Sequence, residues 1–307
     1  MKIENVGVMS PGDMGQAIAQ QLKQKGFNVC VALDERSARS KELARQAGLT
    51  DVGSISKLTA QCEVILSVMN PGAALEFASE AARALGAARK KLLFVDCNAV
   101  SPVTMQAINA KITAAGARCA DGGIIGPPPR GNAKTNLYVS GPEASELSQL
   151  ATPQINVTVM SERVGDASAL KMCYSAFNKG MQAMGLELLI AARRLGVDAA
   201  LEVQLLASRR DVYDWLIGAL PAMPPKAYRW VPEMHEIAKT FEAVGLTPRM
   251  FQGTADMYDQ VAATALGKET PENRDKSRGG KDVVRLLAED TGAAGAARRG
   301  TSSAGRA

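Results

Sequence analysis

The opening of the chain constrains its fold more than any other stretch. Asn5, Val6, Gly7, Val8 and Met9 make a short β-favouring run. Ser10-Pro11-Gly12-Asp13-Met14-Gly15 follows as a glycine turn, and Ala17, Ile18 and Leu22 then recur at helical spacing. A second apolar run, residues 29–33, ends in Asp34-Glu35-Arg36. Strand, turn, helix and strand in that order predict a βαβ unit with a phosphate-sized gap where the helix starts. Gly12 lets the backbone approach a pyrophosphate, Gly15 lets the helix pack close to the strand, and the free N–H groups and dipole of the helix start favour the anion. Asp34 stands nineteen residues after Gly15, where an acidic residue accepts a ribose hydroxyl. The pattern points to a dinucleotide and thereby to hydride chemistry. Two positions depart from G-x-G-x-x-G: Ser10 replaces the first glycine, and Asp13 puts a carboxylate in a loop that faces phosphates. The plainer alternative is a βα turn whose glycines serve packing alone.

The same alternation continues. Residues 37–47 read as a helix, 64–69 as a buried strand closed by Asn70-Pro71-Gly72, 73–85 as a helix and 92–97 as another buried strand. Ser101-Pro102 caps a helix to about residue 115, and strands are expected near 118–120 and 137–139. Continuous rather than alternating apolar strands predict an α/β domain of Rossmann type, with a mainly parallel sheet and helices on both faces. From residue 162 only helical periodicity remains, broken at Gly196, 221–225, 245–248 and Gly267. The expected division is a dinucleotide-binding domain over 1–161, an all-α substrate and dimerisation domain over 162–290, and a disordered Gly/Ala/Arg/Ser tail over 291–307. Residues 163–195 lack proline and predict one long helix. Its middle, 183–192, is apolar on nearly every side, which implies burial between domains or subunits and a homodimer or higher homo-oligomer.

Composition narrows the partners. With 307 residues, 46% of them hydrophobic, two cores can be filled. Residues 291–307 hold three arginines and no acid, leaving +2 of the +5 net charge for the rest, so nucleic-acid binding gains no support. The five cysteines are odd in number, widely spaced and free of metal-ligand spacing; they read as reduced core residues, with no metal. Glu4 stands where a secretory signal would be apolar, and no run approaches the roughly 20 apolar residues of a membrane span. The expectation is a cytoplasmic protein acting on a small-molecule substrate, with neither membrane nor nucleic acid as partner.

Four segments carry a more specific signal: Gly12-Asp13-Met14-Gly15; Ser67-Val68-Met69-Asn70-Pro71; residues 96–102 together with 121–126; and residues 165–180, with Lys171 six after Gly165. Their order resembles the β-hydroxyacid dehydrogenase family, which includes 3-hydroxyisobutyrate and 6-phosphogluconate dehydrogenases. Gly126-Pro127-Pro128-Pro129-Arg130, Lys171-Met172-Cys173-Tyr174 and residues 233–238 resemble the branch with its own helical carboxy-terminal domain. The resemblance implies that Ser10, Pro11, Gly12, Asp13, Met14 and Gly15 hold the dinucleotide phosphates. It puts Asp34, Glu35, Arg36 and Ser37 at the adenosine end and Val68, Met69 and Asn70 on the nicotinamide side. It makes Lys171 catalytic and sets Asn98, Ile125, Gly126, Ser175 and Asn178 about the substrate. Where the family has serine before glycine this chain has Ile125, Pro127 removes a further N–H, and the asparagine four after the lysine is Ser175. These departures favour a bulkier substrate than a simple small hydroxy acid. Arg130 is either a substitute carboxylate contact or a solvated loop residue.

Hydride loss from an alcohol needs a base for the hydroxyl proton, and the reverse needs an acid; a lysine serves both. Lys171 lies among Ala169, Leu170, Met172 and Cys173, with Ser175 and Asn178 four and seven residues on along the same helix face. The alternative is a lysine that snorkels to solvent. His235, the only histidine, has no metal-ligand spacing around it and reads as structural or surface, with a pocket role as the alternative. Asp34 or Glu35 would favour NAD, Arg36 and Arg39 NADP; the Arg36-Ser37 pair resembles that of NADP-preferring relatives and tips the expectation to NADP. The function expected is an NAD(P)-dependent dehydrogenase or reductase acting on a β-hydroxy acid or related hydroxy/oxo compound. An imine reductase, or a dinucleotide-binding sensor without turnover, is the alternative.

Overall fold

The structure, a computed structural model, describes residues 1–85 and 92–290. Its first part runs β1 (Asn5–Met9), α1 (Asp13–Gln24), β2 (Asn28–Val31), α2 (Ala38–Gln46), β3 (Thr50–Asp51), α3 (Ile55–Gln61), β4 (Val64–Ser67), α4 (Ala74–Leu85), β5 (Leu93–Asp96), α5 (Pro102–Ala114), β6 (Arg118–Ile125), β7 (Thr135–Ser140) and β8 (Ile155–Ser161). The strands form one sheet in the order β3-β2-β1-β4-β5-β6-β7-β8. Every neighbouring pair is parallel except β6 with β7. This is the expected Rossmann-type α/β arrangement.

Both faces of the sheet are covered, which is why its strands read as unbroken apolar runs. Val6, Val8, Leu66, Leu93 and Val95 join Ile18 and Leu22 of α1 in one core. The alternate residues Met9, Ile65 and Phe94 face a second core with Leu58, Phe77, Met105 and Ile108. Each fully buried side chain of this size contributes roughly 1.5–3 kcal/mol. Ser37, Ser54 and Ser101 cap α2, α3 and α5 by accepting from the N–H groups of Ser40, Lys57 and Thr104.

The sequence did not signal β3, α3 or β8, and it cut β6 short. β3 has two exposed residues and α3 only seven, too few for a period. β8 is mostly half-buried or exposed. In β6, Gly122 and Gly123 interrupt the apolar run although all of residues 119–125 are buried.

The chain divides into two compact units, the first ending at Cys173 and the second beginning at Tyr174. α6 (Asp166–Arg194) begins in the first and continues into the second. The second unit also contains α7 (Asp198–Ser208), α8 (Arg210–Ala219), α9 (Ala227–Ala243) and α10 (Arg249–Ala263), with residues 280–290 helical as well. α9 and α10 pack together, with the Phe241 and Phe251 rings 4.7 Å apart. In the apolar stretch 183–192, Leu186, Leu189 and Ile190 are buried, whereas Met184 and Leu188 stay exposed. The tail expected to be disordered, 291–307, lies outside the described residues. Cys30, Cys62, Cys97 and Cys119 are buried and outside any disulfide; Cys173 is exposed, against the expectation of a core residue. No helix among the described residues is long and apolar enough to cross a membrane.

Candidate functional site

The loops after β1, β4, β5 and β6 meet at the carboxyl edge of the sheet, where open α/β folds bind ligands. Ser10 N–H donates to the Val68 carbonyl at 2.9 Å and the Ser10 carbonyl accepts from Gly12 N–H at 2.8 Å. A Cβ on Gly15 would lie 2.1 Å from the Ser10 carbonyl oxygen, so the close helix approach requires glycine. A Cβ on Gly12 would meet no protein atom within 4 Å: the glycine faces open space beside the start of α1. The N–H groups of that first turn have no acceptor within the helix. This cradle fits a diphosphate.

Asp13 does not stand as a bare carboxylate. Arg130 Nη1 pairs with Asp13 Oδ1 at 2.6 Å, and its Nη2 donates to the Asp13 carbonyl at 2.8 Å and to Gln16 Oε1 at 3.0 Å. Gln21 Nε2 donates to the Pro129 carbonyl at 3.2 Å. Arg130 is therefore tied to the glycine loop, with its side chain still partly exposed. Sequence reading missed this because the partners are 117 residues apart.

After β2, Asp34, Glu35 and Arg36, expected at the adenosine end, line a cleft of about 610 Å³ with Gly53, Ser54, Ser56, Glu80 and Arg83. Asp51 Oδ1 shapes its rim by accepting from Leu33 N–H at 3.2 Å and Gly53 N–H at 2.8 Å, and Asp34 N–H donates to the Gly53 carbonyl. Glu35 has φ +59°, a left-handed conformation uncommon outside glycine. The Ser37 hydroxyl is occupied as the cap of α2. The sequence reading singled out neither the 53–56 wall nor the α4 residues Glu80 and Arg83.

Asn98, expected beside the substrate, lies just beyond the end of β5 and is held by its own hydrogen bonds. It is buried; its Oδ1 accepts from Met69 N–H at 2.5 Å, while Nδ2 donates to Ser67 Oγ and Asp96 Oδ2, each at 2.8 Å. These bonds tie Met69 and the end of β4 to β5. Asn70 Oδ1 accepts from Gly72 N–H and closes a local turn. Burial of Asp96 pushes its carboxyl up to about 7 despite the Asn98 bonds.

Lys171 is half-buried on α6, and its place is set by β6. A Cβ built on Gly123 would fall 2.8 Å from the Ala167 carbonyl oxygen and 3.4 Å from Lys171 Cβ. Glycine at this point of β6 thus lets the start of α6 lie against the strand. Asp96 and Asp121 are register partners on β5 and β6, and Gly123 lies two residues beyond Asp121 as Asn98 lies two beyond Asp96. Asp121 is buried and fixes the helix start: its Oδ2 accepts from Gly165 N–H and Ser168 N–H, both at 2.9 Å, and from Ser140 Oγ at 3.1 Å, and its Oδ1 from Ser168 Oγ at 2.6 Å. Burial raises the Asp121 carboxyl against these bonds. Ile125 is buried, and Gly126, at φ +134°, turns the chain beside Thr135.

In the second unit Ser175 is buried and Asn178 Nδ2 donates to the Tyr174 carbonyl. Lys179 pairs with the buried Glu233 beneath the Trp230 ring, 5.0 Å from its centroid. His235 is exposed on α9. Among the described residues no group of three His, Cys, Asp or Glu could hold a metal ion.

Residues 5–152 match the model of the NAD binding domain of 6-phosphogluconate dehydrogenase, and residues 192–261 match a domain of unknown function, DUF1932. An uncharacterized 28.5 kDa protein of Methanothermus fervidus is 26% identical over 257 residues, covering 83% of this chain and 98% of that protein. A solved conserved protein of unknown function, described as structurally similar to 3-hydroxyacid dehydrogenases, is 29% identical with a TM-score of 0.62, covering 86% of this chain and all of that one. The Mycobacterium tuberculosis 3-hydroxyisobutyrate dehydrogenase, solved with L-serine, shares the fold at a TM-score of 0.67 and 18% identity, covering 93% of this chain and 99% of its own.

Proposed function

Because the chain belongs to the β-hydroxyacid dehydrogenase family, in the branch with its own helical carboxy-terminal domain, we propose that it is an NAD(P)-dependent dehydrogenase or reductase acting on a β-hydroxy acid or related hydroxy/oxo compound. The observation that carries this reading is the seating of Lys171 on Gly123, at the edge of the sheet where the dinucleotide loops converge. The nicotinamide, when bound, accepts or supplies the hydride. Lys171 Nζ takes the substrate hydroxyl proton in oxidation and returns a proton to the carbonyl oxygen in reduction. Asp121 and Gly123 hold its helix in place. The Ser10 to Gly15 loop holds the diphosphate, Val68 and Met69 flank the nicotinamide, and Ile125 and Gly126 shape the substrate side, to which the family pattern also assigns Ser175 and Asn178. Arg36, which lines the same cleft as Arg83, supports a preference for NADP over NAD. The same reading takes the chain as a cytoplasmic homodimer or higher homo-oligomer.

The test is oxidation of NADPH and NADH against β-oxo acids, aldehydes and cyclic imines. Turnover of oxo acids is expected, with Lys171→Ala lowering kcat about a hundred- to ten-thousandfold and leaving the NADPH dissociation constant unchanged. Retention of more than about a tenth of kcat would remove Lys171 from proton transfer. Turnover of cyclic imines alone would make the chain an imine reductase, and cofactor binding without turnover a sensor.

A further inference from the structure

The phosphate-facing loop contains an acid, and an arginine from a distant loop covers it. Asp13 is the first residue of α1, where the helix dipole favours negative charge. That preference serves a bound diphosphate only if Asp13 does not compete with it: a bare carboxylate would occupy the favourable field and repel the ligand. Arg130 bonds the Asp13 carboxylate, the Asp13 carbonyl and Gln16 Oε1 at once. It arrives on a segment with little freedom, since Pro127, Pro128 and Pro129 fix φ and the buried Gln21 amide grips the Pro129 carbonyl. This segment follows directly from β6, the strand that seats Lys171.

We propose that Arg130 is a positioning residue for the dinucleotide, which neutralises and holds Asp13 so that the α1 start receives the diphosphate, and which straps the loop after β6 to that site. The inference rests on the dinucleotide reading above. It assigns Arg130 no contact with the ligand: its work is done through Asp13. A local acid and its compensating base therefore form one unit within the loop, and the pair can be lost together at less cost than the arginine alone.

The experiment is a double-mutant cycle on the full chain, reading NADPH binding by fluorescence and ADP-ribose binding by calorimetry. ADP-ribose carries the diphosphate without the nicotinamide and so isolates the loop. Arg130→Ala is expected to weaken both ligands about tenfold or more, the scale of one unscreened like charge a few ångströms from the phosphates. The loss should shrink as salt is added. Arg130→Lys should recover most of the affinity. In an Asp13→Asn background, Arg130→Ala should cost clearly less than in wild type, because no carboxylate remains for the arginine to hold away from the ligand. Melting of the ligand-free chain reports on folding separately: a purely structural arginine would lower melting and affinity alike in both backgrounds. Equal affinity losses in the wild-type and Asp13→Asn backgrounds would overturn the inference, whether they arise from direct contact or from a collapsed strap. A wild-type chain that binds neither NADPH nor ADP-ribose would overturn the dinucleotide reading and this inference with it.

Discussion

The buried carboxylate of Asp121 is the acceptor on which the start of α6, and hence the place of Lys171, depends. Replacing it by alanine strands the N–H groups of Gly165 and Ser168, which lie 2.9 Å from its Oδ2. The hydroxyls of Ser140 and Ser168 can rotate to other acceptors, but the two N–H groups cannot. A buried donor left without a partner costs about 1–3 kcal/mol, so Asp121→Ala should loosen this region by about 2–6 kcal/mol. Asparagine offers a different outcome. Its carbonyl oxygen can take the place of Oδ2 and its NH2 can donate to Ser168 Oγ, and no charge need be buried, so Asp121→Asn should stay within about 1 kcal/mol of wild type. Amide hydrogen exchange of Gly165 and Ser168 reads the difference. A loss of about 2 kcal/mol accelerates exchange about thirtyfold. The kcat of Asp121→Ala should fall with it, while that of the asparagine variant stays close to wild type. Unchanged exchange in the alanine variant, or equal acceleration in both, would show that charge or volume, not the acceptor geometry, is what the site uses.

Three other outcomes are expected. Arg36→Ala should weaken NADPH by about 1.5–3 kcal/mol and NADH much less, as one charged hydrogen-bond partner of a 2′-phosphate is lost; equal losses in a binding titration would deny Arg36 that role. Asp96 has its folded-state carboxyl raised to about 7 from a usual 3.8, so the folded state binds the extra proton between those values. Its contribution is full below about pH 4 and is lost as pH rises through about 7, and Asp96→Asn should flatten that slope in urea midpoints taken from about pH 4 to 8; an unchanged slope would assign it to other groups. The chain should behave as a dimer or larger in light scattering at micromolar concentration, because Met184, Leu188, Val212 and Trp215 line an exposed apolar groove in the helical unit; a fully active monomer would refute this.

The strand–turn–helix order, the covered sheet and the helical carboxy-terminal part were legible in the sequence because each is written in local spacing. Gly12 and Gly15 were readable for the same reason, since the turn and the helix start lie within a few residues of one another. The serine cap at 101 followed the same local rule. What the sequence left open was always a matter of partners. Asp13 reads as a misfit for phosphate in the sequence, and Arg130, 117 residues away, resolves it in the fold. The sequence did not show that the Asn98 amide bonds Met69, Ser67 and Asp96. Asp121 and Gly123 gave no sign that they seat α6, because their partners lie 44 residues or more along the chain. Side-chain periodicity reports which face is buried and says nothing of which distant polar group satisfies a buried one. Hydrogen bonds and close backbone approaches across the sheet edge are set by how the strands are ordered, and only the tertiary structure supplies that order.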